Sequence, residues 1–231
     1  MTQSDLFDAI AKGDLGRLTK IVGQKPALAA ARAPDGVSAV LSARYRDNMA
    51  AVQAILAANP PLDVFDAAAL GRTGRLSELL KADPKLVSSY SADGFTPLHL
   101  AAFFNQAETA RVLLENQAPL SAVSRNDLAV MPLNSAAAGR SDDVARQLVE
   151  AGANVNATQR HGYTPLHSAA ENDDAELVDL LVEHGASRHA RTDDGRTPAD
   201  LAEAAGHPML ARRLRADAPR KRPIQPQPRS R

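Results

Sequence analysis

The chain has 231 residues and no cysteine, so it can form no disulfide framework, thiolate metal site or cysteine nucleophile, which fits a reducing compartment. Its 27 basic and 27 acidic residues balance, which argues against electrostatic attraction of the whole body to nucleic acid. The first residues lack the basic and apolar regions of a signal peptide, and no apolar run approaches the roughly 18 residues of a membrane span, so we expect a cytoplasmic protein without a membrane partner.

The first half of the chain contains an internal duplication. A shift of 58 residues matches Phe7 with Phe65 and carries residues 16–18 onto residues 74–76, both of which read GRL. Pro26 and Pro84 also match, and each is expected to end the preceding helix early. Self-similarity at a fixed distance is the signature of a repeat architecture. The first half is therefore predicted to be two copies of a unit that itself holds two repeats.

A ten-residue string organises the rest of the chain. Residues 93–102 read DGFTPLHLAA, and the string returns in altered form around Leu133, Leu166 and Ala199, at steps of 35, 33 and 33 residues from Leu98. Asp-Gly favours a tight turn, Thr can cap a helix, and Pro suits the first helical turn. The Leu and Ala residues then form an apolar helix face. The string predicts a turn followed by a short helix in every copy.

A TPLH-x-A string with a period of about 33 residues resembles the ankyrin repeat. The resemblance covers roughly residues 4–216, is strongest in residues 93–206, and is closest to bacterial ankyrin-repeat proteins. It implies an all-α solenoid of stacked helix pairs with short projecting hairpins. It also implies that His99 and His167 link neighbouring units by hydrogen bonds. The link is not expected where Met131 and Asn134 replace Thr and His, or where Asp200 replaces His.

We predict about seven helix-turn-helix units in residues 1–217, irregular in residues 1–92 and regular in residues 93–217. The connection between units two and three, residues 57–63, is too short for a full hairpin, so the row of hairpins should have a gap there. Residues 218–231 hold five basic residues, four prolines and no acid, a composition that predicts a disordered tail. The first helices of the seven units should begin near Ser4, Ser38, Asp63, Thr96, Met131, Thr164 and Thr197.

The resemblance also implies where a partner binds. Ankyrin-repeat proteins usually bind through the hairpin tips and the exposed side of the first helices, which together line a concave groove. Aromatic and arginine side chains dominate the binding energy of many interfaces. We therefore expect a partner protein to bind in a groove centred on unit four. Carried over position by position, the candidate partner-binding residues are Tyr45, Arg46, Phe95, Phe103, Phe104, Tyr163, Glu171 and Asn172.

Packing is the alternative role for two of these residues. Phe103 and Phe104 could lie against the helix of Tyr45, across the shortened connection, and fill the core there. Two adjacent helical residues cannot both face inward, so at least one of the pair should be exposed. Phe7 and Phe65, at the position that histidine holds in other units, are expected in the core.

The sequence contains no catalytic motif. The G-x-S-x-G elbow, the phosphate-binding G-x-x-x-x-G-K loop, H-E-x-x-H and C-x-x-C are all missing. We therefore expect no catalytic residue, cofactor or metal, and predict a monomeric, non-enzymatic adaptor that binds a partner protein.

Two alternatives to the adaptor stay open. One is a regulatory or inhibitory subunit of an enzyme. The other is an accessory protein of nucleic acid that uses the basic tail together with Arg160, Arg188 and Arg191. Against the second, five charges without interleaved aromatic residues favour a solubilising extension, so nucleic acid is not the expected partner.

Overall fold

A computed structural model describes residues 1–216 as a row of α-helices, with no β-strand in that range. An isolated β-bridge joins Arg32 and Ser38. Three short 3-10 helices, Pro26–Ala30, Pro84–Ser88 and Arg160–Gly162, lie in the connections. The α-helices are α1 (Gln3–Lys12), α2 (Leu15–Gln24), α3 (Ala39–Arg44), α4 (Met49–Leu56), α5 (Val64–Ala69), α6 (Thr73–Ala82), α7 (Pro97–Phe103), α8 (Ala107–Glu115), α9 (Pro132–Ala138), α10 (Asp142–Glu150), α11 (Pro165–Glu171), α12 (Ala175–Glu183), α13 (Pro198–Ala204) and α14 (Pro208–Arg215).

The fourteen helices form seven pairs, from α1 and α2 in unit one to α13 and α14 in unit seven. The first helix of each pair packs on its own second helix and on the first helix of the next pair. This arrangement confirms the all-α ankyrin-type solenoid. Each first helix begins within a residue or two of its predicted start. The predicted tail, residues 218–231, lies outside the described residues.

The repeated string forms a hairpin and a capped helix start, as its residue types predict. In unit four the Ser91 N–H donates to the Phe95 carbonyl at 2.8 Å and closes the hairpin. Gly94 turns the chain with φ of 87°. A Cβ on Gly94 would lie 2.7 Å from the carbonyl carbon of Arg125 in the next hairpin. Glycine is therefore required both by the turn and by the close approach of the neighbouring hairpin.

The connection between α4 and α5 carries no hairpin, as predicted. No backbone hydrogen bond of the kind that joins Ser91 to Phe95 closes residues 57–63. The expected gap in the row of hairpins is nevertheless wrong, because the flanking hairpins meet. Gly36 of unit two lies so close to Ala92 of unit four that a Cβ on Gly36 would be 2.7 Å from the Ala92 Cβ. The hairpins of units two and four are therefore direct neighbours in the row.

The buried apolar residues form two clusters, and the boundary between them lies near the connection between α4 and α5. One cluster holds α1 to α4, from Leu6 to Ile55, and the other runs from Val64 in α5 to Leu214 in α14, joined by Val37 and a leucine of α3. Small residues on the first helices, such as Ala67 to Ala69, are fully buried. They let successive first helices approach closely.

Histidine links units four and five, and units six and seven. The Thr96 N–H donates to His99 Nδ1 at 3.2 Å, so Nε2 carries the proton and donates to the Val130 carbonyl at 2.9 Å. His167 makes the same contact to the Arg196 carbonyl at 3.2 Å. Burial lowers the pKa of His99 to about 4, so the ring is neutral at pH 7. The structural role implied for these two histidines is confirmed.

The expectation that unit five lacks this link is wrong. Asn134 Oδ1 accepts a hydrogen bond from the Met131 N–H at 3.2 Å, and its Nδ2 donates to the Ala157 carbonyl at 3.2 Å. An amide presents an acceptor and a donor on one short side chain, so it replaces both nitrogens of a neutral imidazole. In unit seven Asp200 instead accepts a bond from Arg215 of its own unit at 3.0 Å.

Candidate protein-binding groove

An apolar cavity of about 330 Å³ lies over units four and five. Three of the predicted residues line it: Tyr45 after α3, Phe95 in the hairpin of unit four, and Phe103 at the end of α7. Leu128 and Val130 of the next hairpin complete its apolar wall. We call these five residues the aromatic groove. Its remaining lining residues are His99, Leu100, Asn134, Ser135, Ala138 and Gln159.

Phe103 and Phe104 have opposite environments. Phe103 is 40% exposed, whereas Phe104 is 8% exposed, so one of the pair is exposed as expected. The Phe104 ring packs on Tyr45 at 5.6 Å and on Phe103 at 5.1 Å between centroids, and the Arg44 guanidinium lies 4.2 Å from its centre. The placement of Phe104 on the binding surface is therefore wrong. The packing alternative holds for this residue, which supports the groove from beneath.

Tyr45 connects unit two to unit four. Its hydroxyl donates to Asp93 Oδ2 at 2.5 Å, across the position where unit three has no hairpin. Burial, together with the hydrogen bond to the Asp93 carboxylate, raises the pKa of Tyr45 far above its usual value, so the phenol is neutral at physiological pH. Because both its ring and its hydroxyl have partners, the side chain is held in one orientation.

The other predicted residues lie outside the aromatic groove. Arg46 donates to the Ser42 carbonyl at 2.8 Å and lines a separate cavity on the N-terminal side. Tyr163 is half-buried with its ring 5.6 Å from that of His167. Glu171 is exposed at the end of α11.

Asn172 faces a neighbouring unit. It was assigned to the binding surface, but its Nδ2 donates to the Ala137 carbonyl at 3.2 Å. This bond ties unit six to unit five, and the residue is half-buried. Its role in partner binding stays a prediction.

Sequence reasoning missed Leu128, which is 54% exposed at the mouth of the groove. The hairpin of unit five closes with a bond from the Ser124 N–H to the Val130 carbonyl, two residues longer than the hairpin closed by Ser91 and Phe95. This insertion accounts for the 35-residue step between units four and five. The next hairpin fixes it, since the Arg160 N–H donates to the Leu128 carbonyl at 3.1 Å. The 35-residue step between units four and five was the feature of the sequence that could have indicated this longer hairpin.

The described residues hold little else that suggests chemistry. Within residues 1–216 no group of three or more His, Asp and Glu side chains could hold a metal ion. No helix in the same range has the length and apolar character needed to cross a membrane.

One carboxylate pair lies away from the groove, between units five and six. Asp142 begins α10, and its half-buried carboxyl group faces Asp174. Desolvation, followed by the hydrogen bond to Asp174 and the negative charge of that residue, raises the pKa of Asp142 to about 6. The folded chain thus binds this proton more tightly than the unfolded chain does, and stability is lost as the pH rises from about 4 through about 6.

The Asp142→Asn variant should therefore be more stable than the wild type at pH 7, by about 1 kcal/mol after allowance for solvent screening. At pH 4, where the carboxyl is largely protonated, the gain should vanish. Urea unfolding at both pH values measures the difference. Asp127→Asn, whose side chain is 97% exposed in the hairpin of unit five and does not contribute to the Asp142 shift, is the control and should not reproduce this gain. An equal gain from Asp142→Asn at both pH values would contradict this account.

Comparison with known proteins agrees with this geometry. Residues 64–159 match a family model described as ankyrin repeats (3 copies), and residues 148–202 match one described as ankyrin repeats (many copies). A curated relative is a probable E3 ubiquitin-protein ligase from Oryza sativa subsp. japonica, 36% identical over 94 residues. The alignment covers 40% of this chain and 21% of the relative, so the chain spans about a fifth of that protein's length. Ankyrin repeats generally mediate protein–protein interaction and are typically non-enzymatic. The two family matches together cover residues 64–202, more than half of the chain, and the chain belongs to the ankyrin-repeat family.

Proposed function

We propose that the chain is a non-enzymatic scaffold that binds a partner protein in the aromatic groove. The observation that carries the proposal is the pairing of two exposed apolar side chains over one cavity. Phe103 is 40% exposed and Leu128 is 54% exposed, and both line the same space of about 330 Å³. Large exposed apolar residues grouped in a concave site are typical of interaction surfaces. A cavity of this size accepts a large apolar side chain of a partner.

The side chains of the aromatic groove are held by contacts within the chain. Phe103 is held edge-on against the buried Phe104, Tyr45 is held by Asp93, and Leu128 lies on a hairpin fixed by Arg160. Side chains that already hold their bound orientation lose little conformational entropy on association. The geometry therefore favours recognition by a preformed surface over folding around the partner.

The alternatives have less support. An inhibitory or regulatory subunit would use the same groove, with an enzyme as its partner. Arg160, Arg188 and Arg191, the arginines assigned to nucleic acid, each donate to a backbone carbonyl, and the basic tail that would act with them lies outside the described residues. The ligase similarity suggests no separate function, because the aligned part is about a fifth of that protein. We propose a cytoplasmic monomer without a cofactor.

Affinity co-purification from the native cell lysate tests the groove. The test variant is Phe103→Ser/Leu128→Ser, and the control is Met49→Ser/Met209→Ser, which removes two exposed apolar side chains elsewhere, 44% and 75% exposed. All four positions are exposed, so both variants should melt near the wild type. Mass spectrometry should identify a protein that the wild type and the control retain and the groove variant loses. Recovery of the same proteins with all three would refute the proposal.

A further inference from the structure

A second cavity, of about 560 Å³, lies where units two and three join. One side is apolar and consists of Leu56 at the end of α4 and the connection Pro60–Leu62. The other side consists of Arg72 and Arg75 at the start of α6. We call this cavity the notch. It shares no lining residue with the aromatic groove, and it lies where the regular connection between units is missing.

Because of the internal duplication, the arginines of the notch can be compared with the equivalent positions in unit one. Asp14 caps α2 in unit one and accepts a hydrogen bond from the Arg17 N–H at 2.9 Å. The 58-residue shift places Arg72 at the matching position before α6, which has no side-chain cap. A guanidinium cannot accept such a bond. The N–H groups of Gly74 and Arg75, at the start of α6, therefore have no side-chain partner and lie at the positive end of the helix dipole.

Arg75, the second arginine of the notch, does not have the two acidic partners that its counterpart in unit one has. In unit one Arg17 pairs with Asp5 and Asp8, both at 2.5 Å. Arg75 occupies the same place in unit three, but the matching acids, Asp63 and Asp66, are taken up by unit two. Asp63 forms an ion pair with Arg32 at 2.6 Å, and Asp66 accepts a hydrogen bond from the Ser38 hydroxyl at 2.5 Å.

The two notch arginines are consequently available to a ligand. Arg75 reaches the Leu62 carbonyl at 3.1 Å and the exposed Glu78 at 3.2 Å. Arg72 is exposed and makes no side-chain hydrogen bond or ion pair within residues 1–216. An exposed pair with a carboxylate contributes little to stability, so Glu78 is easily displaced.

We propose that the notch binds an extended acidic segment of a second protein. Its carboxylates pair with Arg72 and Arg75, since a guanidinium binds a carboxylate through two parallel hydrogen bonds. An adjacent apolar side chain of the segment lies on Pro60, Pro61 and Leu62, whose rigid backbone loses little entropy. Residues 217–231 of this chain are not the occupant, because they carry five basic residues against one acid.

Fluorescence anisotropy tests the notch with a short labelled peptide that alternates glutamate with leucine. The test variant is Arg72→Asp, which restores the cap that unit one has in Asp14, so α6 should be at least as stable as before. The variant should weaken peptide binding at least about tenfold, because it puts a carboxylate where the peptide places its own. Added salt should weaken binding to the wild type.

Arg140→Asp is the matched control for charge. Arg140 is exposed with φ of 54°, and Asp173 occupies the equivalent position in unit six with φ of 57°, so the change is tolerated and the net charge is the same as in Arg72→Asp. This control and the groove variant Phe103→Ser/Leu128→Ser should both bind the peptide as the wild type does.

Four results would overturn the proposal. They are undiminished binding by Arg72→Asp, an equal loss in Arg140→Asp, a loss in the groove variant, and binding of a phosphoserine peptide or a DNA oligonucleotide with no binding of the acidic peptide. A failure of the groove co-purification does not bear on these results, because the two cavities share no lining residue.

Discussion

Leu98→Ala should lower the free energy of unfolding by about 2–5 kcal/mol. Leu98 is fully buried in α7, between α5 and α9, and it belongs to the cluster that runs through units three to seven. The change removes apolar surface from the core and leaves a cavity that the surrounding helices fill only in part. Because each unit is stable mainly through its neighbours, the loss should also loosen units three and five.

Urea unfolding followed by circular dichroism measures this loss, and Leu128→Ala is the control. Leu128 is 54% exposed, so its truncation should leave the unfolding midpoint close to that of the wild type. Unfolding of Leu98→Ala at the wild-type midpoint would mean that the assigned repeat register is wrong.

Gly139→Ala should lower the free energy of unfolding by about 1–3 kcal/mol and disturb the groove. Gly139 ends α9 with φ of −82°, which any residue can adopt, so the cost is steric. A Cβ at this position would lie 2.1 Å from the carbonyl oxygen of Phe103 and 2.8 Å from its carbonyl carbon. Both are backbone atoms and cannot swing aside. The variant must separate α7 from α9, and it should therefore displace the Phe103 ring.

Gly23→Ala is the control for the glycine substitution. Gly23 lies in α2, and a Cβ there would meet nothing within 4 Å. Alanine has the higher helix propensity, so this variant should gain about 0.5–1 kcal/mol in the same urea titration. Equal stability of Gly139→Ala and the wild type would show that α9 does not contact the backbone of Phe103 at this glycine.

The spacing of the repeated string predicted the helix starts well, because the chemistry of each start is local. A turn, a capping side chain and a proline lie within a few residues of one another, as at Thr96 and Pro97. The absence of a hairpin in residues 57–63 was predictable from length alone. That the flanking hairpins meet at Gly36 was not, because this depends on how whole units pack.

The candidate site was only partly predictable, for the same reason. Position in the repeat led to Phe95 and Phe103, which both line the cavity, but it could not tell Phe103 from Phe104, whose burial depends on Arg44 and Tyr45 two units away. Likewise, Asn134 links two units as histidine does elsewhere, because its amide donates to the Ala157 carbonyl. No sequence motif indicates this contact.

The close approach at Gly139 shows a related limit of sequence reasoning. Gly139 has no side chain to offer a partner, and it lies outside the repeated string. In the structure its missing side chain is what allows α9 to contact the backbone of Phe103. When a glycine is required by a residue that is distant in sequence, the residues around it do not indicate the requirement.

Site-specific photo-crosslinking tests the central claim most directly. A photoreactive phenylalanine analogue replaces Phe103 in one sample and Met209, which is 75% exposed on α14, in another. Each is irradiated in the native lysate, and the crosslinked proteins are identified by mass spectrometry. We predict a crosslink from position 103, and none from position 209, to the protein that the Phe103→Ser/Leu128→Ser variant fails to capture. A crosslink to that protein from position 209 with none from position 103 would contradict binding in the aromatic groove.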